Sequence, residues 1–156
     1  MAQNDLTDLK SQKKSQNYFS TLFFNHFSVI VSRSHTGDAA EVVKKYLNGH
    51  AIGAGGSGYK VEELFGYPSD NDEKTTPGAY VHTTLIKKWD ICSGNALLNH
   101  FGGKMTKLNG EDIDYHHSLS PKNEGGLVAA LHSHQKYLDA FKEYAAEKKS
   151  AEFIQA

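Results

Sequence analysis

Three short stretches carry side chains whose types and spacing could do chemistry. In residues 32–35, Ser32, Arg33, Ser34 and His35 follow an apolar run and precede a helical pattern. Hydroxyls and an imidazole would then stand beside the free backbone N–H groups of a helix start, a setting that favours anions. In residues 55–60, GGSGYK, the glycines let the backbone come close to a ligand, and Lys60 follows one turn into the next helix. In residues 87–103, KKWDICSGNALLNHFGG, Asp90 stands where a helix should begin. Its carboxylate has two readings. It is an N-terminal cap that accepts backbone N–H groups and complements the helix dipole, the ordinary use of aspartate there, or it is a metal ligand. Lys87 and Lys88 just before it read as solvated.

Other chemistries find less support. The nine histidines, notably His116 with His117 and His132 with His134, invite zinc, but no cysteine pair or HExxH accompanies them. Structural zinc wants a closed set of four ligands, so zinc is not expected. No GxSxG is present for a serine hydrolase. The glycine turn fits neither the Walker pattern nor GxGxxG.

The elements that must position these residues alternate. Residues 27–32, FSVIVS, have the β-branched density of a buried strand. Residues 38–48 place Ala39, Val42, Val43, Tyr46 and Leu47 at helical spacing, with Glu41 and Lys45 paired outside and Gly49 as the stop. A short strand at Ala51 and Ile52, a turn over 53–58 and a helix over 59–65 with Val61, Leu64 and Phe65 on one face repeat that order. Residues 67–78, YPSDNDEKTTPG, read as an exposed loop with two prolines. A strand over 79–84 leads to the Asp90 helix, where Ile91, Gly94, Leu98 and Phe101 share a face with Cys92 and Ala96 beside it. That helix is expected to be mostly buried and to close at Gly102 and Gly103. Residues 104–108 and 112–115 flank Asn109 and Gly110, a strong hairpin signal. Residues 121–126 read as a loop and 127–131 as an apolar run. A last amphipathic helix carries Tyr137, Leu138, Phe141, Tyr144 and Ala145. Strands alternating with helices predict an α/β layered sheet, with both chemically loaded turns at the carboxyl ends of strands, where such sheets bind ligands.

Length and charge bound the function. One domain with a real core fits 156 residues. With 17 Lys and Arg against 18 Asp and Glu, no basic field exists to drive binding to nucleic acid or an anionic membrane, so any phosphate site must be local. The single cysteine, Cys92, forms no internal disulfide and reads as a small core residue. No apolar run is long enough to span a membrane, and residues 1–16 lack the apolar centre of a signal peptide. They read as a solvated leader.

Taken in order, SRSH, GGSGYK, KKWDICSGNALL, FGGKMTKLNGEDIDY and GGLVAAL resemble the C-terminal lobe of the lithium-sensitive, magnesium-dependent phosphatases of the inositol monophosphatase superfamily. The resemblance divides the chain into a non-matching leader, 1–27, a lobe, 28–148, and a tail, 149–156. It implies a layered α/β/α lobe with a mixed sheet. The WD motif resembles the one whose aspartate binds catalytic magnesium, which makes Asp90 the expected metal ligand and Mg2+ the expected cofactor. By the same resemblance Ser32, His35, Gly56 and Lys60 are substrate-binding, and no further catalytic residue is assigned. The SRSH and GGSGYK turns are similar to those of the nucleotidase members, which implies removal of the 3′-phosphate from adenosine 3′,5′-bisphosphate. The alternatives are an inositol monophosphate phosphatase, or an inactive lobe that binds nucleotide or a partner chain. The family's N-terminal lobe, with a metal-binding glutamate and a DPxD-type motif, has no counterpart here, so the chain reads as truncated, with little activity alone and apolar surface exposed. A Golgi compartment is implied by the nucleotidases it resembles. A homo-oligomer is left open.

Overall fold

The computed structural model describes residues 27–34, 38–66, 76–116 and 120–154, the side chains of 151–154 excepted. His35, His117, residues 1–26 of the expected leader and 67–75 of the expected loop lie outside the described residues. Seven strands are present among them: β1 (Ser28–Ser32), β2 (His50–Ala54), β3 (Ala79–His82), β4 (Ile86–Lys87), β5 (Lys104–Thr106), β6 (Lys122–Asn123) and β7 (Leu127–Ala130). Four α-helices accompany them: α1 (Ala39–Leu47), α2 (Ser57–Glu62), α3 (Cys92–His100) and α4 (His134–Ile154).

Five strands form one sheet in the order β2-β1-β3-β7-β5. β1 runs parallel to both β2 and β3, with Ile30 opposite Ile52 on one side and Tyr80 on the other. β7 is antiparallel to β3 and to β5, so the sheet is mixed. Alternation along the strands sends side chains to two faces. Val29, Val31, Ala79, Val81, Val128 and Ala130 face a core completed by α1 and by Tyr137, Leu138 and Phe141 of α4. Ile30, Tyr80, Leu127 and Ala129 face the other core, with Val61 of α2 and Leu98 of α3. The result is the expected α/β/α sandwich. Continuous apolar strands are required here, because both faces of the sheet are covered. A fully buried valine such as Val128 contributes about 1.5–3 kcal/mol relative to exposure, against a few tenths for any exposed ion pair of this surface, so the two cores hold the lobe.

Helix α1 buries Ala39, Val42, Val43 and Leu47, the stripe its spacing predicts. The chain leaves it at Asn48, in the left-handed conformation at φ 48°, one residue before the expected stop. Gly49 is needed for a different reason: a Cβ there would stand 1.8 Å from the Phe27 carbonyl oxygen. β2 is longer than its two apolar residues suggest, since neighbouring β1 supplies hydrogen bonds out to Ala54.

The sequence misleads at two elements. α3 is a surface helix, not a mostly buried one: Asn95 and Leu98 are buried, Cys92 is exposed, and Leu97 and Phe101 are 42% and 59% exposed. One narrow stripe touches the sheet layer, and a Cβ on Gly94 would press Val61 of α2 at 2.9 Å. The Asn109–Gly110 turn forms, with the Gly110 N–H donating to Lys107 O at 3.0 Å, but the hairpin shrinks to a single bridge, Thr106 to Asp112. β5 takes β7 as its ladder partner, and Ile113 leaves the second arm to enter the core.

Candidate functional site

Because β1, β2 and β3 run parallel, Ser32, Ala54 and His82 end on one edge of the sheet. Ser32, in register with Ala54, is 9% exposed, and the Arg33 N–H continues the ladder to Ala54 O at 3.0 Å. Ser32 shares the face of Ile30, the side of the sheet on which α2 and α3 pack. His35 lies outside the described residues.

The second turn is compact. β2 ends at Ala54, Gly55 follows, and Gly56 adopts φ 71° and ψ 127° before α2 begins at Ser57. An L side chain is strained in that conformation although space is available, the nearest atom to a built Cβ being Tyr59 Cβ at 3.8 Å. Lys60, four residues on, is only 4% exposed. Its Nζ lies 5.0 Å from the ring centroid of Tyr80, and burial pushes the ammonium pKa down. No carboxylate pairs with it among the described residues.

Asp90 closes a short 3-10 turn, Lys88–Asp90, and is exposed. It is not the cap of α3. Ile91 holds that position with no side-chain cap bond, and the helical ladder opens with Asn95 N–H to Ile91 O at 2.9 Å. The intervening 3-10 turn sets the aspartate one residue too early, so its carboxylate makes no hydrogen bond or ion pair among the described residues. Its backbone does: the Ser57 hydroxyl donates to Asp90 O at 2.6 Å. That bond ties the glycine turn to the WD turn, 33 residues apart in sequence. Tyr80 lies near both. It is fully buried, burial and the charge of Asp90 push its phenol pKa up, and its hydroxyl has no hydrogen-bond partner among the described residues.

The structure therefore brings Gly56, Lys60 and Asp90 together through α2, β3 and the WD turn, with Ser32 on the neighbouring strand end. Ser57 and Tyr80 are the contributors that sequence reasoning passed over. Ser57 stands inside GGSGYK with no role assigned from sequence, and Tyr80 falls within the strand expected over 79–84, also with no role assigned. The cation, the hydroxyl and the close backbone approach suit an anionic ligand, whereas the free Asp90 carboxylate would repel one unless a cation lay between them.

Divalent metal is a harder fit. Magnesium is commonly held through one or two carboxylates plus phosphate oxygens and water. Among the described residues no three His, Cys, Asp or Glu side chains group to hold a metal, and Asp90 stands alone. The residues present do not form a metal site by themselves. His134, one of the zinc candidates, is used structurally: its Nε2–H donates to Val128 O at 3.2 Å and its Nε2 lies 3.1 Å from Thr106 Oγ1, pinning the start of α4 to β5 and β7.

The fold is that of inositol monophosphatase-type phosphatases. A solved structure of inositol monophosphate-bound SaIMPase-II superposes with a TM-score of 0.55 at 18% identity, over 83% of this chain and 47% of that one. No family model matches the chain. In sequence it is 50% identical over 104 residues to inositol monophosphatase 3 of Xenopus laevis, which covers 65% of this chain and 28% of that protein. It is 46% identical over 112 residues to the Golgi-resident adenosine 3′,5′-bisphosphate 3′-phosphatase of Mus musculus, 70% of this chain and 30% of that protein. The chain is thus a relative of the inositol monophosphatase superfamily, consistent with its C-terminal region, and spans about three tenths of the length of these curated relatives. Among the described residues no helix is long and apolar enough to cross a membrane.

Proposed function

We propose that residues 28–148 form the substrate-binding lobe of a phosphomonoesterase of this superfamily, and that its ligand is adenosine 3′,5′-bisphosphate. The observation that carries this is Lys60, a buried cation with no carboxylate partner among the described residues, beside a glycine turn and at the carboxyl ends of parallel strands. Lysine is almost never fully buried unless paired, so an anion supplied by the ligand is the natural partner. Lys60 would bind a phosphate oxygen, Gly56 would let backbone N–H groups approach, and Ser32 and His35 would complete the polar contacts. The Golgi-resident relative's name supports the bisphosphate. The inositol monophosphatase 3 relative favours inositol monophosphate as the second ligand to test.

Asp90 is proposed as a magnesium ligand, but as a lone carboxylate it supplies too little for a metal-dependent step, and none is assigned to these residues. That shortfall favours binding without turnover by this chain. A Golgi compartment is likewise proposed from the relative's name alone.

Isothermal titration with adenosine 3′,5′-bisphosphate and with inositol monophosphate, each with and without magnesium, tests the reading when phosphate release is measured on the same samples. Preferential binding of the bisphosphate, with little or no release, is expected. A folded chain that binds neither ligand overturns it, and a preference for inositol monophosphate moves the assignment to the second ligand.

A further inference from the structure

A buried lysine is costly, because burial disfavours the charged form. Proteins usually offset that cost with a carboxylate, which also cancels the charge. Here the Lys60 ammonium instead lies over an aromatic face, 5.0 Å from the Tyr80 ring centroid. The ring is a rigid platform: Tyr80 is fully buried on β3, between Ile30 of β1 and Ala129 of β7. An aromatic face attracts a cation through its quadrupole without neutralising it, and the attraction grows when water is excluded. We propose that Tyr80 is a positioning residue that, through the face of its ring, holds Lys60 in its protonated form so that its full charge remains for an anionic ligand. For the identity of that ligand this rests on the phosphate-binding reading above; for the Lys60–Tyr80 relation it does not. The Tyr80 hydroxyl, unpartnered among the described residues, takes no part.

The test separates ring face from hydroxyl and from simple packing. The 13Cε resonance of Lys60, assigned by its loss in Lys60→Arg, reports the protonation midpoint of that side chain in the intact chain. Tyr80→Phe should leave the midpoint in place, whereas Tyr80→Leu should lower it. Should Tyr80→Leu fail to fold, a series of mono-, di- and trifluorinated phenylalanines placed at position 80 keeps the ring's shape while draining its face. The midpoint should fall step by step along that series. Where the wild-type chain binds adenosine 3′,5′-bisphosphate, affinity should weaken along the series by up to about tenfold, the scale of a desolvated cation–π contact. A midpoint that ignores fluorination, or that moves as far in Tyr80→Phe as in the trifluorinated ring, overturns the proposal. A midpoint that follows fluorination in a chain that binds no bisphosphate supports the role of Tyr80 and sinks only the ligand assignment.

Discussion

Replacing Lys60 by methionine separates a binding residue from a structural one. Methionine keeps most of the aliphatic stem that packs in the α2 layer and deletes the ammonium. At 4% exposure the charge has given up nearly all its water on folding, so removing it relieves a desolvation penalty. Folding stability of Lys60→Met is expected to be unchanged or higher by about 1 kcal/mol. The sign can be checked against pH. Burial holds the folded-state pKa below the ordinary 10.5, so the penalty is fully present at low pH and fades as pH rises from the folded value through 10.5. Wild-type stability should therefore gain on the variant's as pH climbs toward that value. Binding should change the other way. A hydrogen bond to a charged group is worth about 1.5–3 kcal/mol, roughly 10- to 150-fold in affinity. Urea melts at several pH values and titration calorimetry with adenosine 3′,5′-bisphosphate make the comparison. A variant that loses several kcal/mol of stability while binding as tightly as wild type would refute the reasoning, because Lys60 would then be a packing residue.

Gly56→Ala forces an L residue into φ 71°, ψ 127°, and should cost about 1–3 kcal/mol in a thermal or urea melt, with bisphosphate affinity falling as the turn shifts. An alanine variant as stable as wild type would mean that the turn relaxes freely. His134 is half-buried and its pKa is pushed down, mainly by burial, so the fold favours neutral imidazole. Its contribution is fully present above 6.5, the ordinary value, and is lost as pH falls below it. His134→Asn should flatten the decline of the urea midpoint between about pH 7.5 and 5.5, by up to about 1 kcal/mol; an identical decline in both proteins would assign the acid sensitivity elsewhere.

Much of the fold is legible in the residues themselves. FSVIVS can only be a strand buried on both faces, and Ala39, Val42, Val43 and Leu47 can only be one stripe of a helix. The α3 segment is less readable because periodicity marks which residues share a face, not how deep that face sinks: Phe101 is in phase with Ile91 yet lies in solvent, edge-on to Phe65 at 5.4 Å. Asn109–Gly110 specifies a turn but not the length of its arms; the second arm ends after its one bridge at Asp112, where Ile113 turns into the core. Asp90 illustrates the same limit in the site. Its type and position fit a cap, and only the 3-10 turn before Ile91 shows that the carboxylate is left free. Lys60 was legible as a residue able to meet phosphate, whereas its burial and its contact with Tyr80 depend on strand pairing that no local pattern records.

The insertion of β7 between β3 and β5 has a consequence for the order in which the chain can be built. β1, β2 and β3 can pair as soon as residue 82 has emerged from the ribosome, but β5 has no ladder partner in the sheet until Leu127–Ala130 arrives more than twenty residues later. Until then the apolar edge of β3 is bare, and Met105 on β5 has no sheet to join. Synthesis thus proceeds with a half-built sheet whose last-made strand fills the gap between β3 and β5, and the four residues LVAA act as the closing piece that joins the two.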